Sequence, residues 1–421
     1  LQVTERPLYV LICPPWPRSG SSSVFAAQAK TYLSQGHELA VVVSPHSAAH
    51  REKYSLLWKT VREDFSFATK GGLYLNRSNG RIRRLFSMAY WDWLIAGRDS
   101  VLAIEERYAA RAQIDPALLK RIRAQGVALI HVNHAFNMGV ARRIAAVAQC
   151  RGFARPKIIL ETHDVQAQRI GRGQLRNYLS GRVDSSESVM RDETRILGRA
   201  DALIHISEAD IAHFRQTLPG HPHFLLRPTT RNQPLSSERK ATPTIDFLFV
   251  GNAHAANIAS IQWLLDSVMP RLAGLDLRIR IVGAISGWFR QKAPEVYAKY
   301  PDIWMDEQPQ IADLYNDSRF VIVPTTLATG ASIKLIEALA MGKHVVATPM
   351  AMAAFATTPG IDAAVRVAGD AAGFAAAMQD LAGRPDEPNL VGLDIYSAHF
   401  SNACYQRSLL KILREELGGL A

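Results

Sequence analysis

Lys334 and Glu337 lie three residues apart at the start of a helical pattern, directly after the small-residue loop Gly330-Ala331-Ser332. The loop follows an apolar run, Phe320–Val323, that ends at Pro324 and reads as a buried strand. Gly342 stops the helical pattern, and Val345–Ala347 begins the next strand. A loop that opens a helix at the carboxyl end of a parallel strand points free N–H groups and the positive helix end into the crevice, so it attracts anions. Lys334 adds a full positive charge in the first turn, and Glu337 adds a carboxylate on the same helix face. One cation for phosphate and one carboxylate for sugar hydroxyls would hold a nucleoside diphosphate. On a solvated face the same two residues would be an ordinary ion pair, and the pair alone does not separate these readings.

A second polar group, Glu161-Thr162-His163-Asp164, closes the apolar run that starts at Lys157. Polar side chains at the carboxyl end of a strand stand where ligands bind in open α/β sheets. A neutral imidazole at His163 both donates and accepts hydrogen bonds, which suits a sugar hydroxyl, although a structural histidine at a strand end is the alternative. His131 and His134 end the apolar run near 128–132, and His134 is placed to line the same edge. Their spacing supplies no third ligand, so no zinc is expected. The loop Pro14–Ser23, PPWPRSGSSS, joins the run 8–13 to a helical pattern near 24–33. Ser19, Gly20 and Ser21 would offer backbone N–H groups and a helix cap there. The loop is not G-x-G-x-x-G, which counts against a nicotinamide dinucleotide enzyme.

Composition is that of a globular chain, 48% hydrophobic and 21% charged, and 421 residues are enough for two or three domains. Cys13, Cys150 and Cys404 are far apart without a C-x-x-C pair, so they read as reduced core residues. No apolar stretch approaches about 18 residues, and the early Glu5 and Pro14-Pro15 do not resemble a secretory signal. The expected location is cytoplasmic, with peripheral attachment to the inner face of a membrane. The net charge of +11 is uneven: residues 1–235 hold 33 Lys+Arg against 19 Asp+Glu (+14), and residues 236–421 hold 16 against 19 (−3). Such asymmetry points to a polyanionic or membrane-surface partner for the first half. Its densest segment is 77–93, where Arg81, Arg83 and Arg84 precede Trp91 and Trp93. Basic residues beside amphipathic aromatics suit anionic lipid headgroups, unless the aromatics enter the core. Nucleic acid is not expected as a partner, because no helix-turn-helix, zinc-finger spacing or RNA-binding signature is present.

Strand-like runs at 8–13, 38–43, 128–132, 157–161, 202–206 and 223–226 alternate with helical patterns in the first half. Runs at 246–250, 278–282, 303–305, 319–323, 344–347 and 363–367 do so in the second. Repeated β-α alternation predicts an α/β fold of parallel sheets with helices on both faces. The polar, proline-containing stretch 229–243 reads as an interdomain linker. The expected organisation is two Rossmann-like, doubly wound domains at 1–235 and 236–398 facing a cleft. A C-terminal helix over 399–421 would pack back on the first domain.

The segment Lys334–Ala347, KLIEALAMGKHVVA, resembles the nucleotide-sugar-binding segment of family-four ("group 1") glycosyltransferases of the GT-B fold, which reads K-x-x-E-A-x-A-x-G-x-P-V-V-A. His344 takes the place of the family's proline. Residues 247–271, 280–283 and 313–324, and more weakly the first-half runs 36–44, 129–139, 159–165 and 199–210, follow the family's order. The resemblance implies an enzyme that moves a sugar, with retention of configuration, from a nucleoside-diphosphate sugar to a saccharide or lipid-linked saccharide bound by the first domain. It implies that Lys334 and the 330–332 amides stabilise the leaving diphosphate. His163 would contact the donor sugar, with Asp164 orienting the imidazole or the acceptor, and the Ser19–Ser21 loop would approach the donor phosphate. No cofactor or metal is implied. Two departures stand out. Thr329 occupies the first position of the family's E-x7-E pattern, so backbone N–H groups at 329–332 would take over its contacts. Asn252 and His254 stand where many members carry Arg and Lys. A nucleotide-sugar epimerase of the same fold and a degenerate, non-catalytic saccharide binder are the alternatives.

Overall fold

The computed structural model of the chain describes residues 7–16, 20–45, 62–63, 65–68, 72–77, 99–171, 184–230, 242–308, 311–327 and 330–416. The chain forms two compact units, Leu1–Arg227 with Gln406–Ala421, and Pro228–Tyr405. The boundary expected at 235/236 falls in 231–241, outside the described residues.

The first unit is built on a seven-stranded sheet: β1 (Leu8–Cys13), β2 (Leu39–Val43), β3 (Leu73–Leu75), β4 (Val127–Asn133), β5 (Lys157–Glu161), β6 (Ala202–His205) and β7 (His223–Leu225). Their order is β3-β2-β1-β4-β5-β6-β7, and the paired strands run parallel. β1 (LYVLIC) and β2 (LAVVV) are buried along their whole length, as a sheet covered on both faces requires. Strand β3 has only three residues at the sheet edge, too short to give a period in the sequence. Helix α1 (Gly20–Ser34) follows β1, α2 (Val101–Ala110) precedes β4, α3 (Met138–Gln149) links β4 to β5, α4 (Ser186–Leu197) precedes β6, and α5 (Glu208–Thr217) follows it. Near the C-terminus, Arg414 donates to Gln35 Oε1 at 3.4 Å within this unit.

The second unit carries a six-stranded parallel sheet: β8 (Ile245–Val250), β9 (Ile279–Val282), β10 (Trp304–Met305), β11 (Ser318–Val323), β12 (His344–Ala347) and β13 (Val365–Val367), in the order β10-β9-β8-β11-β12-β13. Alternation sends Val321, Val323, Val345 and Ala347 into one core layer, and Phe320, Ile322 and Val346 into the other. Helix α6 (Ala255–Trp263) follows β8, and α7 (Ile333–Ala340) joins β11 to β12.

Each sheet reverses its winding once, at β1/β4 and at β8/β11. A crevice opens outside the carboxyl ends of the strands at such a reversal, and ligands bind there.

Candidate functional site

In the second unit, β11 ends at Val323, and α7 begins at Ile333. Gly330 has φ 72°, a left-handed conformation that glycine adopts at little cost. Ser332 occupies the cap position without a side-chain cap bond, so its hydroxyl takes up none of the first-turn N–H groups. Thr329 lies outside the described residues; Ala331 and Ser332 are half-buried. Leu335, Ile336, Ala338, Leu339 and Ala340 anchor the helix in the core, and Gly342 ends it at φ 60°.

Lys334 is half-buried. Its Nζ donates to Asn257 Oδ1 at 2.8 Å and sits 5.3 Å from the centre of the Phe249 ring. Burial lowers its pKa to about 8, against the opposing influence of Glu337. Asn257, on the first turns of α6, donates through Nδ2 to the backbone carbonyl of Asn252 at 3.0 Å and to its Oδ1 at 2.9 Å. His254 caps α6, its Nδ1 accepting from the Ala256 N–H at 3.3 Å. Asn252 and His254 are both exposed, and the residue that ties the β8 loop to Lys334 is Asn257. Asn257 is not conspicuous in the sequence because it stands in the first helical turn after the strand rather than at the strand's end. Glu337 accepts from Tyr315 Oη at 3.1 Å on one oxygen and from Thr230 Oγ1 at 3.3 Å on the other, which fixes the plane of its carboxylate. Beneath this loop Gly283 has φ 116°, and a Cβ there would fall 2.4 Å from the Gly251 carbonyl oxygen, so the ends of β8 and β9 meet backbone to backbone.

In the first unit, His134 and His163 stand just beyond the carboxyl ends of the adjacent strands β4 and β5. Among the described residues they are the non-glycine positions with positive φ, 66° and 59°. Non-glycine residues are uncommon at positive φ, and such conformations concentrate at functional sites. Their rings stack at 4.2 Å with 17° between planes. Trp16, three residues after β1, meets His134 edge-on at 4.6 Å. Gly20 and Ser21 open α1 and are half-buried; Ser19 lies outside the described residues, as do Arg81, Arg83, Arg84, Trp91 and Trp93.

His163 Nε2 lies 2.8 Å from Asn133 Oδ1 and 3.5 Å from Glu161 Oε1. Asn133 gives a hydrogen bond that orients the imidazole, and the charge of Asp164 acts on the same ring. Asn133 exchanges hydrogen bonds with Gln28 of α1, and Gln28 Nε2 also donates to Glu161 Oε2 at 2.8 Å. His131 is held by Tyr32 Oη at 2.8 Å through Nδ1, and its Nε2 lies 3.6 Å from Glu161 Oε2. Burial alone would raise the Glu161 pKa, but His163, His131 and Gln28 outweigh it and hold the carboxyl below its usual range. Burial pushes the His163 pKa down, against the pull of Glu161 and Asp164. Asp164 is half-buried; its charge helps to raise the pKa values of Glu193 (to about 8) and Asp210 (to about 7), after the larger effect of burial on both. Gln28, Asn133 and the role of Glu161 carry no signal in the sequence. Residues so far apart in the chain meet only through the parallel register, in which Asn133 pairs with Glu161.

Residues 244–384 match the family model described as glycosyl transferases group 1. No curated protein matches the chain. Among solved structures, a glycosyltransferase from Rickettsia africae ESF-5 is similar over 98% of this chain and 99% of its own, at 13% identity and a TM-score of 0.64. A sucrose-phosphate synthase from Thermosynechococcus elongatus is similar over the same shares, at 15% identity and a TM-score of 0.64. Anabaena HepE, solved with UDP and glucose, covers 97% of this chain and 99% of its own at 13% identity and a TM-score of 0.60. The fold is thus the GT-B glycosyltransferase fold, and the sequence match falls on the unit that carries Lys334 and Glu337.

Proposed function

With residues 244–384 matching the glycosyl transferases group 1 model, we propose that this chain transfers a sugar from a nucleoside-diphosphate sugar to a saccharide or lipid-linked saccharide acceptor, with retention of configuration. The observation that carries this reading is Lys334. It is a half-buried ammonium on the first turn of α7, at the winding reversal of the second sheet, with its pKa lowered to about 8. An anion placed there regains the charge interaction that burial has weakened. As the bond from the anomeric carbon to the leaving phosphate breaks, Lys334 and the N–H groups at 330–332 stabilise the departing charge. Glu337, oriented by Tyr315 and Thr230, accepts hydroxyl hydrogens of the nucleotide sugar. The acceptor belongs to the first unit, and its proton leaves with help from the departing phosphate, so no metal or dedicated protein base is invoked. Anabaena HepE, solved in complex with UDP-glucose, supports a uridine nucleotide as the first donor to test. Attachment to an anionic membrane is part of the proposal only through the basic segment 77–93. Among the described residues no helix is long and apolar enough to cross a membrane.

The test is thermal unfolding with UDP, GDP, ADP, CMP and dTDP separately. A ligand at about 100 times its dissociation constant adds roughly 2.7 kcal/mol if it binds only the folded state. Stabilisation by one nucleotide, abolished in Lys334→Ala, is the expected result. No stabilisation by any of them would refute the donor reading.

A further inference from the structure

We propose that the amide pair Gln28–Asn133, anchored on Glu161, consists of positioning residues that hold His163 with its proton on Nε2, so that Nδ1 is presented as a hydrogen-bond acceptor to a hydroxyl of the bound sugar. The inference rests on the reading above, in which His163 touches a sugar.

The hydrogen-bond directions are fixed from two ends. Asn133 Nδ2 lies 3.2 Å from the Ile12 carbonyl oxygen, which can only accept, so this end of the amide is the nitrogen. Gln28 Nε2 lies 2.8 Å from Glu161 Oε2, an ionised carboxylate that also can only accept. The two amides then pair reciprocally, Asn133 Nδ2 to Gln28 Oε1 at 2.9 Å and Gln28 Nε2 to Asn133 Oδ1 at 3.0 Å. Asn133 Oδ1 is therefore an acceptor, and His163 Nε2, 2.8 Å away, must donate to it. In a neutral imidazole Nδ1 then carries the lone pair. Nδ1 has no hydrogen-bond partner among the described residues, and the ring keeps 8% of its surface exposed. The stack on His134 and the left-handed backbone fix the plane in which that lone pair points.

An acceptor held in this way discriminates by chemistry. A hydroxyl donates to it. An ether or carboxylate oxygen at the same place offers no hydrogen and leaves two lone pairs facing each other, which weakens binding by about tenfold or more. Had His163 been the other tautomer, the preference would reverse.

The test is long-range proton–nitrogen NMR of the full chain labelled at histidine, with the His163 signals assigned by their loss in His163→Asn. We expect a protonated Nε2 and an unprotonated Nδ1 in the wild type. Asn133→Asp keeps the acceptor and should keep this tautomer, whereas Asn133→Leu removes it and should give a mixture. If Asn133→Leu does not fold, Gln28→Leu, which removes the donor anchored on Glu161, should broaden or mix the signals instead. A wild-type His163 protonated on Nδ1, or a tautomer unchanged when its acceptor is removed, overturns the inference. Either result would leave any stabilisation by nucleotides intact. Conversely, absence of nucleotide binding refutes the donor reading and not the tautomer.

Discussion

If Lys334 receives the diphosphate as proposed, nucleotide affinity should fall steeply on the alkaline side of neutrality, because the ammonium loses its proton there. Burial brings Lys334 from 10.5 to about 8. The shift makes the charged form harder to keep by roughly 3 kcal/mol, an upper figure because water reaches the half-buried side chain. A bound diphosphate reverses the effect, so the protonated form binds and the neutral form does not. With a free-protein pKa of about 8, the protonated fraction is about nine-tenths at pH 7 and about one-thirtieth at pH 9.5, so the dissociation constant should rise about 30-fold between these values. Near pH 8 about half a proton should be taken up per nucleotide bound. Titration calorimetry in two buffers of different ionisation enthalpy measures both quantities. Lys334→Met serves as the control that carries the nucleotide's own titration: it should bind weakly and with no further loss over the same range. A wild-type affinity that tracks Lys334→Met in its pH dependence, with no proton uptake, would refute the reasoning.

Other perturbations follow from the same contacts. Asn257→Asp places a carboxylate on Lys334 Nζ in place of an amide oxygen, which should move the alkaline midpoint above 8 while weakening diphosphate binding at neutral pH by about tenfold, both read in the same titration. Gly283→Ala should lose about 2–4 kcal/mol in urea denaturation, because its Cβ meets the Gly251 carbonyl oxygen at φ 116°, whereas Gly287→Ala, inside a helix with Arg290 Nη2 at 3.8 Å, should gain a few tenths. His205, whose pKa is lowered to about 3 by burial and then by the neighbouring His223, Arg215 and His213, stays neutral in the folded chain, where it hydrogen-bonds with Thr162 and His223. Its contribution to stability is complete above about pH 6.5 and is lost as pH falls below that, at up to 1.4 kcal/mol per unit. The difference in stability between the wild type and His205→Phe should show that slope, since the opposing titrations of Glu193 and Asp210 are common to both.

The alternation of apolar runs and helical patterns made both sheets legible, because a strand buried on both faces is a continuous apolar word. β1 is apolar from end to end, and β5 and β12 enclose the apolar runs Ile158–Leu160 and Val345–Ala347 between polar flanks. Lys334 and Glu337 were legible for a similar reason: helix periodicity alone puts them on one face. The partners of each group were not legible. Tyr315 and Thr230 on Glu337 come from a helix before β11 and from the chain before β8. The amides behind His163 are joined by the order of strands rather than by spacing. Sequence periodicity states which way a side chain points relative to its own element; it carries nothing about which foreign atom waits there.

The two left-handed histidines bear on how this protein would respond to selection. A non-glycine residue in that conformation gives up about 1–2 kcal/mol relative to glycine. A library screened for heat resistance alone should therefore drift toward glycine or asparagine at 134 and 163, discarding the stacked rings, while a screen for the proposed sugar transfer should hold both histidines in place. The composition of survivors at these two codons would separate the demands of folding from those of chemistry without any assay of a purified variant.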